Sequence, residues 1–111
     1  MTRATLLRDR LGRYAGFSVK GHTGYAQEGS DVVCAGISVL TTTCVNALEA
    51  VAGIAPLVTG GEDGFLEARL PQGITDAQMH DAQVLLGALH QGLSDLADGY
   101  GKYIRLAEKI I

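Results

Sequence analysis

The chain has 111 residues, 47% of them hydrophobic, with 12 acidic and 9 basic side chains and a net charge of −3. That length supports one domain with a core of its own, without metal or disulfide support. The acidic balance lacks the basic footprint of a general nucleic-acid binder, so no direct nucleic-acid partner is expected.

No charged segment followed by an apolar run opens the chain. No run approaches the ~18 apolar residues of a membrane span, and no membrane partner is expected. The expected location is the cytoplasm, where thiols stay reduced.

Residues 1 to about 9 read as a strand, 10–13 as a turn containing Gly12, and 14–21 as a second strand. In the second strand Ala15, Phe17 and Val19 share one face, while Tyr14, Ser18 and Lys20 share the other. From 31 to about 52 the pattern is helical, with Asp31 as N-cap and Gly53 with Pro56 as the stop. About 54–59 and 65–70 are predicted strands, joined through the hairpin composition Gly60-Gly61-Glu62-Asp63-Gly64. Thr75-Asp76-Ala77-Gln78 reads as a capping box, and the helix it opens ends near Gly99. Residues 103–110 form the last strand. The order ββαββαβ predicts an α+β fold and a single domain over 1–111, with two helices packed on one mostly antiparallel sheet of about five strands.

Between the second strand and the first helix runs Gly21-His22-Thr23-Gly24-Tyr25-Ala26-Gln27-Glu28-Gly29-Ser30-Asp31-Val32-Val33-Cys34. It sets a histidine at a strand exit and a thiol in the first helical turn, the parts of a cysteine nucleophile and its base. Gly24 and Gly29 give the loop the freedom to move and admit a peptide. With Asp31 as N-cap, Cys34 is the N3 residue. There, unpaired N–H groups and the positive end of the helix dipole favour a thiolate and could receive an oxyanion.

Helical phase separates the two thiols. At ~100° per residue, Val33, Ile37, Leu40, Cys44, Leu48 and Val51 fall within an arc of about 80°. Cys44 is near the centre of that stripe and reads as a core residue, while Cys34 projects to its edge beside Ser38 and Thr41. The two lie about 15 Å apart along the axis, too far for a disulfide.

On the second helix Met79, Leu85, Leu86, Leu89, Leu93 and Leu96 define the buried stripe. His80 falls opposite it and His90 on its flank, so both read as solvated, leaving His22 as the base. Asp31 either caps the helix or orients His22; capping is favoured, since its charge would oppose a thiolate at Cys34. Tyr25 would line the substrate groove or pack on the core, and Ser38 would be a contact hydroxyl. A zinc site would want four ligands, or three plus water, and the chain has no CxxC, HxxxH or HExxH spacing. No metal and no cofactor is expected.

Gly21-His22-x-Gly24-Tyr25-Ala26 followed by Gly29-x-Asp31-x-Val33-Cys34-Ala35 resembles the signature of the ribosomal-processing cysteine protease Prp family. The likeness extends to the length and element order of the whole chain. It implies that His22 and Cys34 are a catalytic dyad, and that Gly21, Thr23, Gly24, Tyr25, Gly29 and Ser38 belong to the loop or substrate-binding surface. Thr23 and Gly36 stand where alanine is usual, and neither change removes a chemical group.

The resemblance further implies a substrate: the N-terminal extension of large-subunit ribosomal protein number twenty-seven, cut after an apolar, phenylalanine-rich sequence. The competing reading is a non-catalytic ribosome-associated module that holds a peptide in the same cleft, and the paired His22 and Cys34 disfavour it. A homodimer is also expected. Gly36, Val39, Thr43, Asn46 and Ala50 form a second, weakly polar helix face suited to a symmetric partner. The alternative cover for that face is the second helix of the same chain.

Overall fold

A carboxylate fixes the register of the first two strands. β1 (Thr2–Arg8) and β2 (Tyr14–Lys20) pair antiparallel, from Arg3 against Lys20 to Arg8 against Tyr14. In the turn between them, Asp9 Oδ1 accepts from the N–H groups of Leu11 and Arg13 at 2.9 and 3.0 Å, and Oδ2 meets Arg13 Nε at 2.8 Å. Desolvation opposes the charge on Asp9, but the bonds to Arg13 and Leu11 outweigh it and hold the carboxyl below its usual range.

The computed structural model describes residues 1–21, 30–62 and 64–111, without the side chains of 30, 31 and 62. After β2 come α1 (Ser30–Ala50), β3 (Leu57–Glu62), β4 (Phe65–Arg69), α2 (Asp76–Tyr100) and β5 (Ile104–Ile110). The five strands form one sheet in the order β3-β4-β2-β1-β5. All neighbours run antiparallel except β1 and β5, which are parallel. The expected α+β layer of two helices on a mostly antiparallel sheet is the observed one.

Both helices pack on one face of that sheet. Ala4, Leu6, Phe17, Val19, Ala68 and Ile104 supply the sheet side of the core, Val33, Ile37, Cys44 and Leu48 come from α1, and Ala82, Leu86, Leu89 and Leu93 from α2. Glycines let the helices approach closely: a Cβ on Gly36 would lie 3.2 Å from Leu96, and one on Gly92 would lie 2.7 Å from Leu40. Thr75 caps α2 as its sequence predicts. Its Oγ1 accepts from Gln78 N–H at 3.1 Å, and its own N–H donates to Gln78 Oε1 at 2.9 Å.

Several boundaries differ from expectation. α1 opens at Ser30, so Asp31 is its second residue and not its cap, and Cys34 is its fifth residue and not N3. In regular α geometry the Cys34 N–H then faces the Ser30 carbonyl, one turn in from the unpaired end.

At the other end of α1, Gly53 (φ +67) turns the chain, and the Ile54 N–H donates to Leu48 O at 2.8 Å. Ile54 is thereby drawn into the core and the next strand starts only at Leu57. Val51, expected on the buried stripe, is two-thirds exposed because the helix has already ended. β3 runs on to Glu62, which pairs with Phe65, so the hairpin connection shrinks to residues 63 and 64.

One expectation concerned membranes. By length and composition, Val32–Ala50 is apolar enough to cross one. The expectation that no run is long enough therefore does not hold for α1, whose serine and threonines interrupt its apolar residues without adding charge. Here Val33, Ile37, Cys44 and Leu48 of that helix lie against the sheet.

Candidate active site

A cavity of about 350 Å³ opens between the first half of α1 and the β2–β4–β3 side of the sheet. Cys34, Ile37, Ser38, Thr41 and Thr42 come down one side from α1. Val19 and Gly21 close it at the end of β2, Phe65 and Leu66 of β4 form the opposite wall, and Thr2 reaches in from β1. Gly61 sits at the irregularity in the β3–β4 register, where an extra residue without a side chain leaves the rim open. The walls are largely apolar, with hydroxyls at intervals. Thr41 Oγ1 is engaged, donating to Ile37 O at 2.8 Å.

Gly21 is tied to this rim by its backbone. Its N–H donates to Gly64 O at 2.8 Å and its carbonyl accepts from Thr2 Oγ1 at 3.3 Å. Its φ is +84, and a Cβ there would lie 2.8 Å from Met1 O, so only glycine fits without displacing β1.

The two thiols occupy contrasting surroundings. Cys34 is half-buried on the cavity wall with Ser38 beside it, as helical phase predicts. Cys44 is 6% exposed among core residues, with its Sγ 4.0 Å from Leu85 O. Burial pushes the Cys44 thiol up to about 11, which leaves it almost wholly protonated at neutral pH.

The histidines divide differently from expectation. His80 is exposed beside Asp81, as read. His90 is not a solvated residue: its Nδ1 lies 2.7 Å from Tyr14 Oη, and the rings meet edge to face at 5.7 Å. Gly87, one turn before His90, lies beside the Tyr14 ring, and a Cβ there would meet it in ordinary contact at 3.7 Å. Gln83 holds Tyr14 from the other side, accepting its N–H at 2.7 Å and donating to its carbonyl at 2.8 Å. Neither histidine borders the cavity, and both belong to the surface or to α2 packing.

His22, Thr23, Gly24, Tyr25 and Gly29 lie outside the described residues, as does the side chain of Asp31. The sequence-predicted residues that the structure brings together are therefore Gly21, Cys34 and Ser38. Thr2, Val19, Phe65 and Leu66 share the cavity and were not foreseen. They come from strands on either side of the motif, and only sheet order brings them to Cys34.

The profile of the family described as "Cysteine protease Prp" matches residues 1–105. The chain belongs to this cysteine protease family. It is 30% identical over 112 residues to the ribosomal processing cysteine protease Prp of Bacillus subtilis (strain 168), with both chains fully covered. Among solved structures, SMU.848 from Streptococcus mutans superposes with a TM-score of 0.84 at 28% identity, covering 100% of this chain and 96% of that one. The essential ribosomal processing protease Prp from S. aureus, in complex with a substrate peptide, gives a TM-score of 0.84 at 24% identity, covering 98% and 100%. Membership makes the chain a hydrolase of the thiol-protease type acting in ribosomal processing.

Proposed function

We propose that the chain removes the N-terminal extension of large-subunit ribosomal protein number twenty-seven, using Cys34 as nucleophile and His22 as base. The observation that carries this reading is the position of Cys34. It is the one cysteine on the wall of the cavity, while Cys44 is sealed in the core. The apolar walls at Val19, Ile37, Phe65 and Leu66 suit the apolar side chains that the extension would present.

His22 takes the Cys34 proton, and the thiolate attacks the scissile carbonyl carbon to give a tetrahedral oxyanion. The C–N bond breaks as the imidazolium returns its proton to the leaving amine. Water, deprotonated by His22, then adds to the thioester, and the departing thiolate takes that proton back from the imidazolium to complete the cycle. A product peptide covalently linked to the S. aureus relative is in keeping with such a route. The activity is assigned to the cytoplasm, where a reduced thiol persists.

The test is cleavage of a peptide that carries the extension. Cys34→Ala and His22→Ala each abolish turnover with unchanged circular dichroism, and Cys44→Ala keeps most of it. An active Cys34→Ala protein would remove the nucleophile from this account.

The protein acts as a homodimer through the exposed part of α1. Gly36 is already covered by Leu96 of α2, but Val39 is 66% exposed beside an apolar hollow formed with Leu40, Gly92 and Leu96. Sedimentation equilibrium at micromolar concentration decides it: a single 11.6 kDa species defeats the dimer. A dimer that survives Val39→Glu moves the interface elsewhere.

A further inference from the structure

The face of the sheet turned away from the helices is strongly basic. Strand register puts Arg3 of β1, Lys20 of β2, Arg69 of β4, and Arg105 and Lys109 of β5 on that face, all exposed. Five of the nine basic residues of an acidic chain are therefore gathered on one surface. Glu67 is the one acid among the described side chains there, and Glu62 occupies a corner by register with Phe65.

The layout leaves repulsion in place. Arg3 lies directly between Lys20 and Arg105 on neighbouring strands, each ~4.8 Å away in the pairing direction. Like charges directly opposite one another destabilise a sheet. Elsewhere the chain pairs its cations, Arg8 with Glu108 and Arg13 with Asp9. On this face Arg69 meets Glu67 at 3.1 Å, and Lys20 stands 5.6 Å over the Phe65 ring. Among the described residues, no ion pair reaches Arg3, Lys20, Arg105 or Lys109.

The surface between the cations is a small polar cleft of about 180 Å³, edged by Arg3, Lys20, Arg69 and Lys109. Leu7 and Ser18, which share the face, are 2% and 8% exposed. A folded protein partner gains most of its affinity from aromatic or aliphatic anchors in apolar pockets, and the cleft on this face is lined mainly by charged and hydroxyl side chains. A second copy related by a two-fold axis would bring cation against cation. Single strands want exposed aromatic platforms, and Phe65 is half-buried beside Lys20. A duplex backbone requires only spaced cations, and arginine forks suit its phosphates.

We propose that the open sheet face docks the phosphate backbone of a double-stranded nucleic acid. The net charge of −3 conceals this because acids of other elements offset the patch, four of them on α2 at Asp76, Asp81, Asp95 and Asp98. Peptide cleavage plays no part in this docking, and a binding assay reads it without turnover.

The probes are a fluorescein-labelled RNA hairpin with a stem of about 16 base pairs and a DNA duplex of the same sequence. Anisotropy is followed at ~50 and ~200 mM KCl. Five phosphate contacts set a slope of log K against log salt of about −4.5, so that fourfold more salt weakens binding roughly 500-fold. Tighter binding of either duplex supports the proposal and names the source.

Arg3→Glu with Lys20→Glu and Arg105→Glu abolishes binding. If that protein does not fold, Arg105→Gln with Lys109→Gln lowers the slope by about 2. Lys102→Glu, off this face, changes little. Absence of binding at about 100 μM protein and low salt overturns the proposal. So does an unchanged affinity in the charge variants, or equal competition by polyglutamate, which would assign the face to an acidic protein.

Discussion

Alkylation of the two cysteines tests the site from the opposite direction, through the residue that should not react. Cys44 is raised to about 11 from an ordinary 9.0 by burial, so its thiolate fraction at neutral pH is about 100-fold below that of an unperturbed thiol. A more basic thiolate is also a better nucleophile; with a Brønsted slope of about 0.45 this recovers roughly 8-fold. Ionisation alone therefore slows Cys44 by about an order of magnitude. Its 6% exposure adds a second barrier, because iodoacetamide reaches Sγ only when α1 and α2 part locally. Folded protein treated at pH 7.5 and digested for mass spectrometry should show Cys34 labelled first. Cys44 should lag N-acetylcysteine by at least about tenfold, and the lag should vanish in urea. Labelling of Cys44 at the rate of the small thiol, or ahead of Cys34, would refute the division between a core cysteine and a cavity cysteine.

Alkaline pH should report the same burial as stability. The fold raises the Cys44 pKa, so between pH 9.0 and about 11 the unfolded chain loses a proton that the folded chain keeps. Stability falls across that window by about 1.4 kcal/mol per pH unit. Urea melts should show a shallower alkaline decline in Cys44→Ala, and equal slopes would contradict the assignment. Two glycines separate backbone strain from steric conflict. Gly12→Ala, at φ +82 with nothing within 4 Å of the new Cβ, should cost about 1 kcal/mol. Gly16→Ala, at φ +155 with its Cβ 2.1 Å from Ala68 O, must part β2 from β4 and should cost more than about 3 kcal/mol. Equal midpoints for the two variants would mean that the strand pairing yields more easily than its geometry implies.

Local chemistry carried much of this protein in its sequence. Thr75 and Gln78 announce the start of α2 because a capping box is satisfied within four residues of itself. Helical phase set Cys34 at the edge of a stripe and Cys44 at its centre, since an α-helix turns by a fixed angle whatever it packs against. The boundaries that moved depended on partners far along the chain. Residues 54–56 are apolar enough to read as strand, yet the Ile54 N–H is spent on Leu48 O and its side chain on the core. His90 looked solvated because its partner, Tyr14, lies 76 positions away.

Tertiary structure alone decided the neighbours. Pairing of β1 with β5, from opposite ends of the chain and in parallel, follows no local pattern. Stacking β4, β2 and β1 side by side brings Phe65, Val19 and Thr2 to Cys34, and the same order lines up Lys20, Arg3 and Arg105 on the far face. Strand alternation told which residues share a side of one strand. Which strands adjoin is settled by burial and hydrogen bonding across the whole sheet, and that information is not local to any segment.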